Sequence, residues 1–399
     1  MAKLSLWLPP FAPDYSGAAA VLFDLNTVTA MHDASGCTGN YTGYDEPRWY
    51  GSQSAIYCSG LREIDAVLGN DNKLIKKMEA AARDIKPDLI GLIGSPVPMV
   101  IGSDLKGIAE ELECNTGIPG FGFDTTGTAY YDKGAFMAAS ALLDRFAAPA
   151  KSEDRRVNIL GALPMDYYKG EELRLLRKLL EERGYQVGMT FAMNYTLKEL
   201  KETRRAEVNI AVSRFGYLTA KYIEKRYGIP YLCGFPAGDE TKEEWFEKLE
   251  QVRREKQSVI FHPAEKETAK RQLQALVIGE QVMANAVRGG LHEVLGNIGV
   301  TVGCLYGLEQ ALSRDGDLNL TDEKEIKTAV NDERYQLIIA DPFLKVLLEE
   351  GSTKQFVPFA QYAVSSKLGI KEQALVTGTE FNQWFRTRYE EDENEKKCK

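Results

Sequence analysis

The sequence predicts an α/β fold made of doubly wound parallel sheets, and three observations carry that reading. Short continuous apolar runs such as Asp88-Leu-Ile-Gly-Leu-Ile-Gly94 and Val157-Asn-Ile-Leu-Gly161 have the composition of strands buried on both faces. Helical stretches alternate with them, as in 171–185, where leucines at 173, 175, 176, 179 and 180 make one apolar stripe. At 399 residues the chain is long enough for two or three such units. Ligands in folds of this kind sit in crevices beyond the carboxyl ends of the strands.

The first unit, residues 1–148, opens with a loop- and glycine-rich stretch. Helices are expected at 17–23 and 71–85, ended by Pro87, and a short strand at 54–57. The run 88–94 gives the next strand, 103–112 a helix capped by Ser103, 117–123 a strand and 133–146 a helix. The segment 147–156 (AAPAKSEDRR) is small, polar and charged, which marks a boundary. In the second unit, 149–264, strands are expected at 157–161, 187–191, 208–212 and 229–233, with helices at 171–185, 217–227 and 241–256. The third, 265–399, is expected to begin with a long linking helix at 265–288. Strands at 300–304, 336–341 and 356–359 follow, then a helix at 372–389 and a frayed charged tail.

Composition excludes several functions. Hydrophobic residues make up 44% and the net charge is −9, so no basic stripe is available to neutralise phosphates and no nucleic-acid partner is expected. The N-terminal apolar run is broken by Pro9 and Pro10, and no window reaches a membrane span of roughly 18 apolar residues. Six cysteines in so long a chain do not form a disulfide scaffold, which points to a reducing cytoplasm. There is no phosphate loop, no G-x-G-x-x-G after a strand, no C-x-x-C and no H-E-x-x-H. With histidine only at 32, 262 and 292, histidine metal sites and Ser–His triads have few candidates.

The stretch 31–77 is the most informative. Cys37 and Cys58 lie among glycine, serine and tyrosine, where a backbone can approach a soft metal closely. They are half of the usual four-thiolate set. Tyr41, Tyr44, Trp49, Tyr50 and Tyr57 surround them and would pack an interface or shield a cluster. Cys114 and Cys304 read as small core residues, Cys233 as a strand-end residue pointing to a cleft, and Cys398 as an inert tail thiol. Ser213 and Arg214 read either as a helix cap with a surface salt bridge or as an anion site for a carboxylated substrate or cofactor. His32 is a loop-shaping residue and a candidate proton carrier.

The pattern His32-x-x-x-Gly36-Cys37-x-x-x-Tyr41, then Cys58-Ser-x-x-x-Glu63-x-Asp65-Ala-Val-x-Gly69-x-x-x-Lys73-Leu74, resembles the nitrogenase component 1 family. The similarity continues at Pro87–Ser95, at Ile101-Gly-Ser-Asp-Leu105, at Tyr222–Pro230 and at Ala340-Asp-Pro342. The resemblance implies three Rossmann-like domains around a central cleft. It places Cys37 and Cys58 on ligand positions of an interfacial iron–sulfur cluster, a 4Fe-4S cubane if a dimer shares it. The family's first cluster cysteine falls near Ala12 to Asp14, where Asp14 is the candidate ligand, and a further one falls on Ser95. The cysteine that holds the molybdenum–iron cofactor aligns with Val212 or Ser213, and its histidine ligand has no counterpart near His292. No molybdenum–iron cofactor and no dinitrogen reduction are therefore expected. What remains is similar to the nitrogenase-like reductases, in which a separate ATP-hydrolysing iron protein delivers electrons to a homodimer or heterodimer. A scaffold for metal-cluster assembly and a cluster-free binding module are the alternatives.

Overall fold

The computed structural model describes residues 5–49, 52, 54–264, 273–369 and 374–397. Fourteen strands among them form three sheets, every one parallel. Cys398 and Tyr50 lie outside the described residues, as does 265–272 of the expected linking helix.

The first sheet has the order β2-β1-β3-β4, with β1 at Thr27–Met31, β2 at Ala55–Cys58, β3 at Leu89–Ile93 and β4 at Gly120–Phe123. Its helices are α1 (Asp14–Leu22), α2 (Gly36–Asn40), α3 (Glu63–Leu68), α4 (Asp71–Ile85), α5 (Pro96–Val100), α6 (Leu105–Thr116) and α7 (Tyr131–Phe146). Alternate residues of β3 belong to different cores: Leu89 and Ile93 pack with α1 and α7, Ile90 and Leu92 with α4 and α6. The small residues of α1 let it lie against α7. A methyl group on Gly17 would sit 1.8 Å from the Tyr131 carbonyl oxygen, and one on Gly134 equally close to that of Asp14.

The second sheet, β6-β5-β7-β8-β9, comprises β5 (Arg156–Leu160), β6 (Gln186–Phe191), β7 (Val208–Ala211), β8 (Tyr231–Cys233) and β9 (Val259–Ile260). Around it lie α8 (Pro164–Tyr167), α9 (Glu171–Glu182), α10 (Leu197–Lys201), α11 (Arg214–Tyr227) and α12 (Asp239–Glu255). The leucine stripe of α9 buries Leu173, Leu176 and Leu180. Thr196 and Glu199 form a reciprocal cap at the start of α10.

The third sheet, β12-β11-β10-β13-β14, comprises β10 (Leu273–Gly279), β11 (Ile298–Cys304), β12 (Leu318–Asn319), β13 (Leu337–Ala340) and β14 (Gln355–Pro358). Its helices are α13 (Gln281–Leu295), α14 (Glu323–Asn331), α15 (Tyr362–Gly369) and α16 (Thr379–Lys397). Here the sequence reading is corrected. The expected helix is present only from Gln281 onward, because Leu273-Gln-Ala-Leu-Val-Ile-Gly279 is the central strand, paired with both β11 and β13. Its β-branched, wholly apolar end suits a strand flanked on both sides. Glu280 then caps α13 by accepting from Met283 N at 2.9 Å. The expected frayed tail is likewise helix as far as Lys397, in keeping with its Glu- and Lys-rich composition.

A single buried apolar cluster runs from Ala18 and Tyr131 through Leu160 and Phe215 to Ile278 and Ile338, so the three sheets share a core. In each sheet the strand order reverses once: between β1 and β3, β5 and β7, and β10 and β13. At such a reversal the two following loops leave in opposite directions and open a crevice at the strand carboxyl ends.

Candidate functional site

The crevice of the first sheet holds the cysteines. β1 ends at Met31 and is followed by His32, whose N–H donates to the Ile93 carbonyl at 2.8 Å, and the chain then turns at Asp33. The Asp33 carboxylate accepts from Ser35 N (3.0 Å), Thr38 N (2.9 Å) and Thr38 Oγ1 (3.0 Å), which fixes the short helix α2 and Cys37 in its first turn. Cys58 ends β2, opposite Met31. Its sulfur lies 3.4 Å from the Asp33 carbonyl oxygen and accepts from Gly60 N at 3.3 Å. One residue, Asp33, therefore organises both cysteine loops. A side chain at Gly36 or Gly39 would meet nothing in the chain, so the α2 turn faces open space.

The other predicted residues gather at the same edge. Ser95 follows β3, is buried and donates to the His32 carbonyl at 2.9 Å. Its hydroxyl and that of Tyr15 lie beside the Cys37 thiol and act to lower its pKa. Burial raises the Cys37 thiol pKa, and the nearby Asp33 and Asp14 carboxylates raise it further. Asp14 starts α1 and is tied to the loop after β4, accepting from Gly127 N at 2.7 Å and Thr126 N at 3.0 Å. His32 Nδ1 lies 2.9 Å from Ser59 Oγ. Burial lowers the His32 pKa against the pull of Asp71, Asp33 and Asp65, so the ring is neutral near pH 7 and braces the Cys58 loop. Among the described residues no three His, Cys, Asp or Glu side chains cluster closely enough to hold a metal ion.

Tyr41 and Trp49 of the aromatic loop fold inward, while Tyr44 and Tyr57 stay exposed. Trp49 stacks edge-on against Phe23 and Tyr41, and the buried Tyr41 hydroxyl donates to Glu46 at 3.0 Å. Beneath it, Arg48 pairs with Glu46 and Asp24, a buried network that the sequence reading missed. Outside, the surface beside the cysteine loops is apolar. Tyr57 in β2, Ile64, Val67 and Leu68 after it, and Val97, Val100 and Ile101 after β3, are all exposed, Val100 at 87%.

The crevices of the second and third sheets face each other across the N-terminus of α7. Ser213 caps α11 by accepting from Gly216 N at 3.1 Å and donates to the Gly161 carbonyl at 2.9 Å. The expected surface salt bridge of Arg214 is instead buried and joins two units: its guanidinium pairs with Asp132 and donates to the Tyr306 carbonyl at 2.8 Å. The Arg214 backbone N–H donates to Glu280 at 2.7 Å. Tyr131 donates to Asp166. Asp132, Asp166, Glu280 and Tyr306 went unread in the sequence, although Glu280 directly follows the strand ending in Leu-Val-Ile-Gly279.

Of the remaining cysteines, Cys233 and Cys304 are buried strand ends. Cys114 is exposed rather than part of the core, because Leu105, Ile108, Ala109 and Leu112 make up the buried stripe of α6 and position 114 falls off it. Among the described residues no helix is long and apolar enough to cross a membrane.

Residues 13–305 match the family model of nitrogenase component 1 type oxidoreductases. A light-independent protochlorophyllide reductase subunit from Chlorokybus atmophyticus is 25% identical over 184 residues, 43% of this chain and 36% of that protein. The nitrogenase molybdenum-iron protein alpha chain of Clostridium pasteurianum is 25% identical over 187 residues, 45% and 34% of the two chains. The nitrogenase iron-molybdenum cofactor biosynthesis protein NifE of Methanosarcina barkeri is 25% identical over 240 residues, 55% and 50%. The matched stretches thus span half or less of these relatives. A solved structure of nitrogenase Cp1 at pH 5 superposes with a TM-score of 0.66 at 15% identity, covering 91% of this chain and 85% of that one. That likeness is one of fold.

Proposed function

The chain belongs to the nitrogenase component 1 type oxidoreductase family, and from that premise we propose that it is an iron–sulfur oxidoreductase subunit. In this reading it receives electrons from a separate ATP-hydrolysing iron protein and reduces a substrate other than dinitrogen. The observation that carries the reading is the gathering of Cys37, Cys58, Ser95 and Asp14 at the crevice of the first sheet, beside an exposed apolar surface.

The donor set fits half of a cluster. A cubane takes about four thiolates, and this edge offers Cys37 and Cys58. A second copy of the chain, seated on Val67, Leu68 and Val100, would bring the other pair. When bound, the cluster accepts and passes on single electrons. The Cys37 thiol, kept protonated by burial and by the Asp33 and Asp14 carboxylates, releases its proton on ligation. The Tyr15 and Ser95 hydroxyls beside it favour the thiolate and oppose that rise. Asp14 and Ser95 are the candidates for additional ligands, and neutral His32 holds the Cys58 loop in place. At the second crevice, Ser213 caps a helix and Arg214 is closed into an ion pair, an arrangement that favours a direct substrate site over a molybdenum–iron cofactor.

The longer match to a cofactor biosynthesis protein supports a second reading, a scaffold on which a cluster is built and handed on. The test is anaerobic electron paramagnetic resonance of the purified protein mixed with an iron protein, with and without ATP. Reduction of a cluster signal only with ATP supports the oxidoreductase. Transfer of iron and sulfide to an apo-acceptor, without ATP-dependent reduction, supports the scaffold and contradicts the first reading.

A further inference from the structure

A reduction that adds hydrogen consumes one proton for every electron, so a substrate held away from bulk water needs a proton source beside its electron source. The junction of the three units contains carboxylates in excess of cations. Asp132 comes from α7, Asp166 from α8 and Glu280 from the turn ahead of α13, while Arg214 from α11 is the cation that faces them. Asp132, Glu280, Arg214, Tyr131 and Tyr306 are all buried. Three like charges beside one opposite charge cannot all persist in a low-dielectric interior.

Geometry decides which carboxyl gives way. Arg214 neutralises Asp132 through its guanidinium and meets Glu280 through its backbone N–H. Glu280 accepts a second N–H from Met283. Asp166 has no cation and hydrogen-bonds to the Tyr131 hydroxyl, and its second oxygen is enclosed with no protein partner. Asp166 is also the one residue of the three that is only partly buried, and its Tyr131-bound oxygen is the carboxyl oxygen left to face a ligand.

We propose that Asp166 stands as a neutral carboxylic acid at the junction and donates a proton to a substrate bound against it, with Tyr131 and Glu280 as positioning residues. In that step the Asp166 O–H bond breaks and a bond from hydrogen to a substrate carbon or nitrogen forms. The electrons come from the ATP-dependent iron protein, and the carboxylate left behind is reprotonated from solvent. The role rests on the reductase reading; the protonation does not. Burial raises the Asp166 pKa most, Glu280 and Asp132 raise it further, and the Tyr131 hydrogen bond opposes them. Tyr131, Tyr167 and Tyr306 face the same knot as neutral phenols, their own pKa values raised by burial.

The test is infrared absorption of the full chain, read at the carboxylic acid C=O stretch well above pH 7, beyond the values of about 6 to 7 to which burial raises Asp45, Asp341 and Glu172; Asp24, Asp132 and Glu280, also raised by burial, are told apart by the Asp166→Asn variant. A band at that pH is expected, lost in Asp166→Asn and moved to higher frequency in Tyr131→Phe, where its hydrogen bond is gone. In Glu280→Gln the same band should disappear at lower pH, because one negative neighbour has been removed. Absence of the band in the wild type, or a band indifferent to Asp166→Asn and to Tyr131→Phe, overturns the proposal. Should Asp166→Asn fail to fold, the Tyr131→Phe shift decides. Bound iron separates this from the redox reading: Cys37→Ala is expected to lose iron and keep the band, and Asp166→Asn to do the reverse.

Discussion

The two strand-end regions of this molecule are built in opposite ways. At the first sheet, Cys37 and Cys58 are half-buried, the α2 turn looks onto open space, and large apolar side chains stand exposed around them. Where the second and third sheets meet α7, the crevices are closed by an ion pair, a capped helix and tyrosines packed edge-on from the first and third units. The first region has thiols without enough partners, and the second has one internal ion pair with further carboxyls held by hydrogen bonds. A site left incomplete within one chain is what an interfacial cluster requires. A site already closed suits a ligand that displaces or is held by fixed polar groups.

The largest expected effect breaks the open region. Cys37→Ala should abolish iron binding while leaving the thermal transition nearly in place, read by metal analysis and circular dichroism. Iron retained at the wild-type level would remove Cys37 from the site. The closed region should respond in stability instead. Arg214→Met leaves Asp132 buried without its cation, and breaking such a pair costs about 3–5 kcal/mol, measurable by denaturant unfolding. The double variant with Asp132→Asn should recover much of that loss.

A smaller effect sharpens the closed region through pH. Asp341, at the crevice of the third sheet, accepts from Gln361 N and Ser365 Oγ at 2.8 Å each, yet burial raises its pKa from 3.8 to about 6. A raised acid is protonated in the fold while already ionised in the unfolded chain. Its contribution to stability therefore falls as pH rises from about 4 to about 6, by no more than about 3 kcal/mol, and is level above that. Asp341→Asn should flatten this window in a series of melts. The smallest stability effect belongs to the open surface, where Leu68→Ser and Val100→Ser should change stability by less than about 0.5 kcal/mol. The same pair should weaken association of the chains, measured by sedimentation.

Much of this contrast was legible in the sequence, and the limits have physical causes. The apolar runs at 88–94, 157–161 and 208–212 announced parallel strands because strands buried on both faces leave no polar alternation to confuse them. The run 273–279 was misread because a short apolar segment followed by a true helix has no periodicity of its own to separate the two. At the edge of the first sheet the fold gathers Cys37, Cys58, His32, Ser95 and Asp14, the residues that the local motifs single out, since those motifs mark loops that share one sheet edge. The closed site was half seen. Ser213 and Arg214 stood out at a strand end, but Asp132, Asp166 and Glu280 come from three separate units, and only the tertiary fold brings their charges together. Cys114 shows the same limit on a smaller scale, since a position two residues beyond buried Leu112 on α6 already faces solvent.

The central claim is that the open region is one half of a shared cluster. Iron and acid-labile sulfide per chain, measured on anaerobically purified protein alongside the mass of the assembly, test it most directly. Four thiolates drawn from two chains predict about two irons per chain in a two-chain assembly, lost in Cys37→Ala. A single chain carrying a complete cluster, or no iron after reconstitution with iron and sulfide, would contradict it.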